Sequence, residues 1–196
     1  MSIENGMFRL NDVVLSFPTL VKPKAFAPGQ VEKYSADFIM KPDDPQFEEF
    51  KAFGVTMAKE KFADKADGIL KMIADNRKLR CFGNGNDRVK VADGSVYAGY
   101  EGNMFIGANS TDKPDLYDES GAVLMNAAKL TGGSIVNAYI RPWIQDNSFG
   151  KAIRCEVVAV QFVKAGESFG ATRPDTSAMF GKVDGAPDAT DKNFQF

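Results

Sequence analysis

One short run concentrates side chains able to hold flat, charged ligands. Gly132–Ile144 reads Gly-Gly-Ser-Ile-Val-Asn-Ala-Tyr-Ile-Arg-Pro-Trp-Ile. Side chains alternate between the two faces of a strand. Asn137, Tyr139, Arg141 and Trp143 therefore share one face, and Val136, Ala138, Ile140 and Ile144 the other. The second set is an ordinary core face. The first offers two rings, a guanidinium and an amide. A ring stacks on any base, and Arg both stacks and pairs with phosphate. The competing reading is a partly buried strand whose rings fill space, the commoner use of aromatics in strands.

Catalytic chemistry finds less support. The chain has no histidine, which removes Ser-His-Asp and Cys-His catalysis and the commonest metal ligand. Asp112, Asp115, Asp118 and Glu119 are the dense carboxylate run. A two-metal site needs carboxylates that converge in space, and a run around Pro114 reads instead as a solvated turn. Its spacing does not match a calcium loop. Gly83-Asn-Gly85 lacks the downstream Gly-Lys-Ser/Thr of a phosphate loop. Cys81 and Cys155 lie far apart without a CxxC, so reduced thiols and no zinc are expected, with Cys155 a buried small hydrophobe. The expectation is a non-enzyme without metal or cofactor.

The bulk composition suits one globular domain with appendages: 196 residues, 44% hydrophobic and 26% charged. No run approaches the ~20 apolar residues that span a bilayer. The N-terminus shows no basic region followed by an apolar one, so a cytoplasmic protein is expected. The charge is uneven. The net −2 falls in Ala165–Phe196, where five acids face three bases, and the body before it is neutral. Within that body, Lys71–Lys90 holds six basic residues against two acidic ones. The local field of a groove matters more than the total.

These side chains must be positioned by strands. Phe8–Phe17 reads as a first strand stopped by Pro18, and Tyr34–Met40 alternates cleanly, with Tyr34, Ala36, Phe38 and Met40 on one face. Between them Thr19–Lys33 is a basic loop carrying Phe26. Asp43 or Asp44 before Pro45 starts a helix, with Phe47, Phe50, Phe53, Met57 and Phe62 as its core stripe and Gly54 permitting close packing. A second short helix is expected over Asp64–Asp75. Cys81–Gly94, glycine-rich and basic, reads as a mobile excursion. Asn103–Asn109 is another strand, and Asp146–Gly150 turns Gly132–Ile144 into Lys151–Lys164. The fold class is mainly β with inserted helices (α+β). After Gly170 the chain loses periodicity and reads as a flexible acidic tail, 171–196, following a domain at 1–170. Asp184, Asp188, Asp191, Phe194 and Phe196 make that tail a candidate partner-docking handle.

Several segments together resemble a known group: Leu15-Ser-Phe-Pro-Thr-Leu20 with Lys22-Pro-Lys-Ala-Phe26, Lys33-Tyr-Ser-Ala36, Lys41-Pro-Asp-Asp-Pro45, Gly99-Tyr-Glu-Gly102, Phe105–Asn109 with Pro114, Gly133 through Asn147, and Val160–Gly170. In order and spacing the set is similar to the Enc34-type bacteriophage single-stranded DNA-binding proteins. The resemblance implies an OB-fold, a Greek-key β-barrel, and single-strand binding in phage DNA replication, recombination or repair, in the host cytoplasm. It extends in general terms to the single-strand binding protein of T7-like phages, whose acidic tail ends in an aromatic residue and contacts replication partners. Here the tail departs from that pattern: its acids are spaced out, and Lys192 lies four residues from the end.

On this reading a barrel face and its loops form a basic groove for single-stranded DNA. Tyr139 and Trp143 stack bases, helped by Tyr34, Tyr100 or Phe105, with Phe26 and Phe149 as clamps from loops. Lys22, Lys24, Lys33, Arg77, Arg80, Arg88, Lys90, Arg141, Lys151 and Arg154 take phosphates. The tail is expected to cover the groove in the absence of DNA, or to dock replication or recombination proteins. A phage structural or assembly protein and a strand-annealing recombination protein are the alternatives. Monomer and dimer both stay open.

Overall fold

The computed structural model describes residues 3–169. Its strands are β1 (Ile3–Glu4), β2 (Met7–Ser16), β3 (Tyr34–Met40), β4 (Phe82–Asn84), β5 (Met104–Ser110), β6 (Asp115–Tyr117), β7 (Ile135–Asn147) and β8 (Gly150–Lys164). Helices α1 (Pro45–Phe62) and α2 (Ala66–Asp75) are inserted between β3 and β4. The fold is mainly β. One sheet runs β4-β5-β3-β2-β7-β8-β6, with β1 added on β2. Neighbours are antiparallel except β6, which is parallel to β8. Among the described residues, no ladder closes this path into a barrel. An isolated parallel bridge, Arg80 to Ile153, ties the chain just ahead of β4 to β8.

Alternation builds the core. On β7, Val136, Ala138 and Ile140 are buried while Arg141 and Trp143 are exposed. On β3, Ala36, Phe38 and Met40 are buried on the expected face. Each large apolar side chain so buried contributes about 1.5–3 kcal/mol. The late strands pair as a long hairpin from Ile135–Lys164 to Asn147–Gly150. Its turn is set by Asn147 Oδ1, which accepts from Phe149 N at 3.0 Å, and by Gly150 at φ +109°, a left-handed value that favours glycine.

Helix α1 starts as its sequence requires. Asp44 Oδ1 accepts from Gln46 N at 3.0 Å, and Pro45 occupies the first turn. Its buried stripe, however, is Phe47, Phe50, Gly54 and Ala58, and the expected Phe53, Met57 and Phe62 are only half-buried. The helix approaches β8 closely at Gly54, where an added Cβ would lie 3.4 Å from Ile153 Cγ2. Phe50 meets Phe8 edge-on with ring centroids 5.4 Å apart.

Two further expectations change. The Cys81–Gly94 excursion holds strand β4, a 3-10 turn at Gly85–Asp87 and a Val89–Val96 bridge. Gly85 is indispensable there, because a Cβ would fall 2.0 Å from the Tyr100 carbonyl oxygen. The Asp112–Glu119 run contains β6 as well as a turn. Asp118 Oδ1 accepts from Ser120 N, Ser120 Oγ and Ala122 N, and the Ser120 bonds above all hold its carboxyl below the usual range. The 171–196 tail, with its proposed docking residues, lies outside the described residues.

Candidate nucleic-acid interface

The outer faces of β3 and β5, the edge strand β4 and the loops around them form a groove of about 730 Å³. Arg77, Lys78, Arg80, Arg88 and Arg154 line it, against the carboxylates of Asp37 and Asp87. Phe17, Phe26, Tyr97 and Phe105 add ring surface. Phe17 is half exposed and Phe26 more so. Phe17 meets Tyr97 edge-on at 4.9 Å and stacks near Tyr100 at 5.9 Å.

Three of the guanidiniums are held by backbone carbonyls. Arg77 Nη1 donates to the Asp87 carbonyl at 3.1 Å. Arg154 Nη1 donates to the Lys78 carbonyl at 2.9 Å, and its Nε to Gln145 Oε1 at 3.1 Å. Arg80 Nη1 donates to the Ala74 carbonyl at the end of α2. These bonds fix the guanidinium positions without cancelling their charge.

Arg88 differs. Its Nη2 lies 2.8 Å from Asp37 Oδ2, and its guanidinium carbon is 4.3 Å from the Phe105 ring centroid. Tyr100 Oη donates to the same carboxylate oxygen at 2.6 Å. Burial pushes the Asp37 carboxyl up, while Arg88 and the Tyr100 hydroxyl pull it back. Burial, then the neighbouring Asp37, drives the Tyr100 phenol well above its ordinary value.

A smaller pocket of about 240 Å³ opens over β2, β7 and β8, lined by Arg9, Tyr117, Asn137, Tyr139 and Gln161 among others. Asn137 Nδ2 donates to Gln161 Oε1 at 3.0 Å. Asn137 Oδ1 accepts from Asp12 N at 3.0 Å. That bond steadies the β2 irregularity between Leu10 and Val13, where Asp12 has φ +52°. The Arg9 guanidinium carbon sits 5.9 Å from the Tyr139 ring centroid.

Of the residues singled out by sequence, the groove brings together Phe26, Arg77, Arg80, Arg88, Phe105 and Arg154. Lys33 stands at its margin, with Nζ donating to Asn109 Oδ1 at 3.3 Å, and Lys24 bridges Lys33 through the backbone. Lys22 is exposed on the same loop. Tyr34 pairs with Ser110 at the far end of the β3–β5 ladder. Lys90 belongs to the Val89–Val96 loop, where its backbone N–H bonds Ser95. Tyr139 lies in the second pocket. Trp143 is exposed further along β7. Arg141 pairs with Glu156 at 3.4 Å. Lys151 pairs with Asp146 and sits over the Phe62 ring. Phe149 projects from the hairpin tip.

Tyr100 is the correction: it is fully buried and offers no ring face to a ligand, because the groove floor needs its hydroxyl for Asp37. Sequence reasoning missed Phe17, Asp37 and Tyr97, while Lys78 falls within the basic 77–90 stretch it assigned to phosphates. Asp37 carried a signal, a charged residue between the core-facing Ala36 and Phe38. Phe17 and Tyr97 carried none beyond being aromatic.

The sequence matches a family described as Enterobacter phage Enc34, ssDNA-binding protein, over residues 7–190. Putative protein p50 of Acyrthosiphon pisum secondary endosymbiont phage 1 is 29% identical over 164 residues, 82% of this chain and 85% of that protein. Among solved structures, the single-stranded DNA-binding protein from bacteriophage Enc34 in complex with ssDNA matches with a TM-score of 0.68 and 25% identity. That match covers 85% of this chain and 91% of the other. The single-stranded DNA binding protein gp2.5 of bacteriophage T7 matches with a TM-score of 0.55 and 13% identity, over 88% and 98% of the two chains, a likeness of fold. Since the family match takes in most of the chain and the Enc34 protein shares its architecture, this chain belongs to the Enc34 ssDNA-binding protein family.

Proposed function

We propose that this chain binds single-stranded DNA without sequence preference, as a non-enzymatic protein of phage DNA replication, recombination or repair in the host cytoplasm. The observation that carries the reading is one groove combining five cationic side chains with the rings of Phe17, Phe26, Tyr97 and Phe105. Family membership supports it, as does the ssDNA named for the Enc34 structure. Phosphates run along Arg77, Lys78, Arg80 and Arg154, and bases stack on the rings, each stack contributing about 1–3 kcal/mol. Trp143 and Tyr139 extend the path onto β7. In this reading the sheet, tied at Arg80–Ile153, is an OB-type Greek-key barrel with one open side. Residues 171–196 act as an acidic tail that competes for the groove or docks replication or recombination proteins.

The test is titration with oligo-dT, with a duplex of equal length, and with rising salt, followed by mobility shift. Stoichiometric binding to the single strand, weaker binding to duplex and a steep loss with salt are expected. Absence of binding at low salt ends the reading and favours a structural or assembly role.

A further inference from the structure

We propose that Arg88 is a base-stacking surface rather than a phosphate ligand, and that Asp37 is the positioning residue that holds it flat on Phe105. This rests on the single-strand-binding reading above and divides labour within its groove.

The backbone around Arg88 is pinned from both sides: its N–H donates to the Gly85 carbonyl at 2.9 Å, and its carbonyl accepts from Tyr97 N at 2.9 Å. The side chain crosses to β5, where the guanidinium carbon lies over the Phe105 ring, 4.3 Å from its centroid. Nη2 is held by Asp37 at 2.8 Å. The side chain remains 40% exposed, and both Arg88 and Phe105 line the groove. The cation is thus backed by a ring and reaches the groove where a base would lie, and guanidinium planes stack on aromatic faces.

The strand opposite is shaped for this arrangement. Gly107 pairs with Asp37 across the β3–β5 ladder. A Cβ at Gly107 would lie 2.7 Å from Asp37 Oδ1 and 3.5 Å from Arg88 Nη2. Only a bare backbone leaves room for the pair to lie along the sheet. Arg88 Nε is buried without a hydrogen-bond partner, an arrangement that favours ring contact over complete hydrogen bonding.

Charge separates Arg88 from its neighbours. Among the described residues, Arg77, Lys78, Arg80 and Arg154 form no ion pair with a carboxylate, whereas Arg88 does. A phosphate approaching Arg88 also approaches the Asp37 carboxylate, so the pair as a unit is neutral toward a polyanion. Release of counterions, which sets the salt dependence of binding, therefore belongs to the other four.

The experiment measures the slope of log affinity against log salt for oligo-dT and for an abasic strand of equal length. It uses wild type, Asp37→Asn, the double variant Asp37→Asn with Arg88→Gln, and Arg77→Gln as reference, each checked by thermal melting. The double variant replaces one neutral pair with another. It should keep the wild-type slope, lose about fivefold or more for oligo-dT, and lose little for the abasic strand, since a stack is worth roughly 1–3 kcal/mol. Asp37→Asn alone frees Arg88 and should steepen the slope by about 0.7, the value of one phosphate contact on a single strand. Arg77→Gln should flatten it by about 0.7 and weaken both strands alike. If the double variant instead flattens the slope as Arg77→Gln does, with the same loss on both strands, Arg88 is a phosphate ligand and the inference is overturned. Should either Asp37 variant fail to fold, Arg88→Lys carries the test, because it keeps a charge beside Asp37 and removes the planar group: selective loss for oligo-dT at an unchanged slope supports the stack, and unchanged affinity or equal loss on both strands refutes it. If wild type binds neither strand, the parent reading fails and takes this one with it.

Discussion

Arg154 sits directly opposite Trp143 on the β7–β8 ladder, while its guanidinium reaches the Lys78 carbonyl at 2.9 Å. Residues paired across antiparallel strands share a face. The aromatic face of β7 and the basic margin of the groove therefore meet at one arginine.

Trp143, the single tryptophan, should report occupancy of that junction. It is 38% exposed, and oligo-dT should quench its fluorescence. Arg154→Gln should flatten the salt slope by about 0.7 and reduce the quench. Binding by mobility shift with no change at Trp143 would end the DNA path before the β7–β8 hairpin.

Tyr100→Phe removes the hydroxyl that bonds Asp37 at 2.6 Å and also Ser16, while keeping the ring packed beside Phe17 and Phe105. Losing a hydrogen bond to a charged group should cost about 1.5–3 kcal/mol in urea denaturation. A cost below about 0.5 kcal/mol would be too small for a charge-assisted bond and would mean the two groups do not pair in solution.

Acid should change the balance at Asp37. Its folded-state carboxyl is raised above 3.8 by burial, so the native state takes up a proton before the unfolded chain does. The stability this gives is fully present below the unfolded value and lost as pH rises through the folded one. Asp37→Asn does not titrate. Its stability relative to wild type should therefore fall on going from neutral pH to about pH 4. Denaturation of both proteins across that range checks the sign, and a variant that gains on wild type in acid contradicts it.

Gly54→Ala and Gly54→Leu should diverge. The Cβ of alanine would meet Ile153 at 3.4 Å, a tight contact opposed by roughly 1 kcal/mol of better helix propensity. The net change should stay near zero. Leucine has no room against β8, and overpacking of this kind costs about 1–3 kcal/mol. Equal melting temperatures for the two variants would show that α1 does not press on β8 at this point.

Removing 171–196 should tighten binding to oligo-dT at low salt, because the four acids of that segment outnumber its three bases and would compete for the same cations. Unchanged affinity at low salt would free the groove of any tail competition.

What the sequence revealed was local. Tyr34–Met40 forms a strand with its expected bounds because clean alternation and a half-buried sheet dictate one another. Asp44 and Pro45 mark the start of α1 because capping is decided within one turn. The later part of the helix stripe was misjudged because the large rings drew the line through Phe53, Met57 and Phe62, whereas the close approach to β8 buries the small Gly54 and, one turn on, Ala58. The groove was partly hidden because its parts come from β2, β3, the segment after α2, β5 and β8, and no local pattern records that strand order. Arg77, Arg80 and Arg88 were visible as a basic cluster, but their alignment with Arg154 depends on the Arg80–Ile153 bridge. Tyr100 was misread because it stands in the turn ahead of β5, where no alternation marks which side chains are covered.

That bridge also governs how the two margins of the sheet can part. Elsewhere neighbouring strands are joined by ladders. Between Arg80 and Ile153 the backbone tie is one isolated bridge, reinforced across the seam by the Arg154 side-chain bond to the Lys78 carbonyl. The mouth of the cleft is therefore set by one bridge and one side-chain fastening, while the strands on either side keep their full ladders.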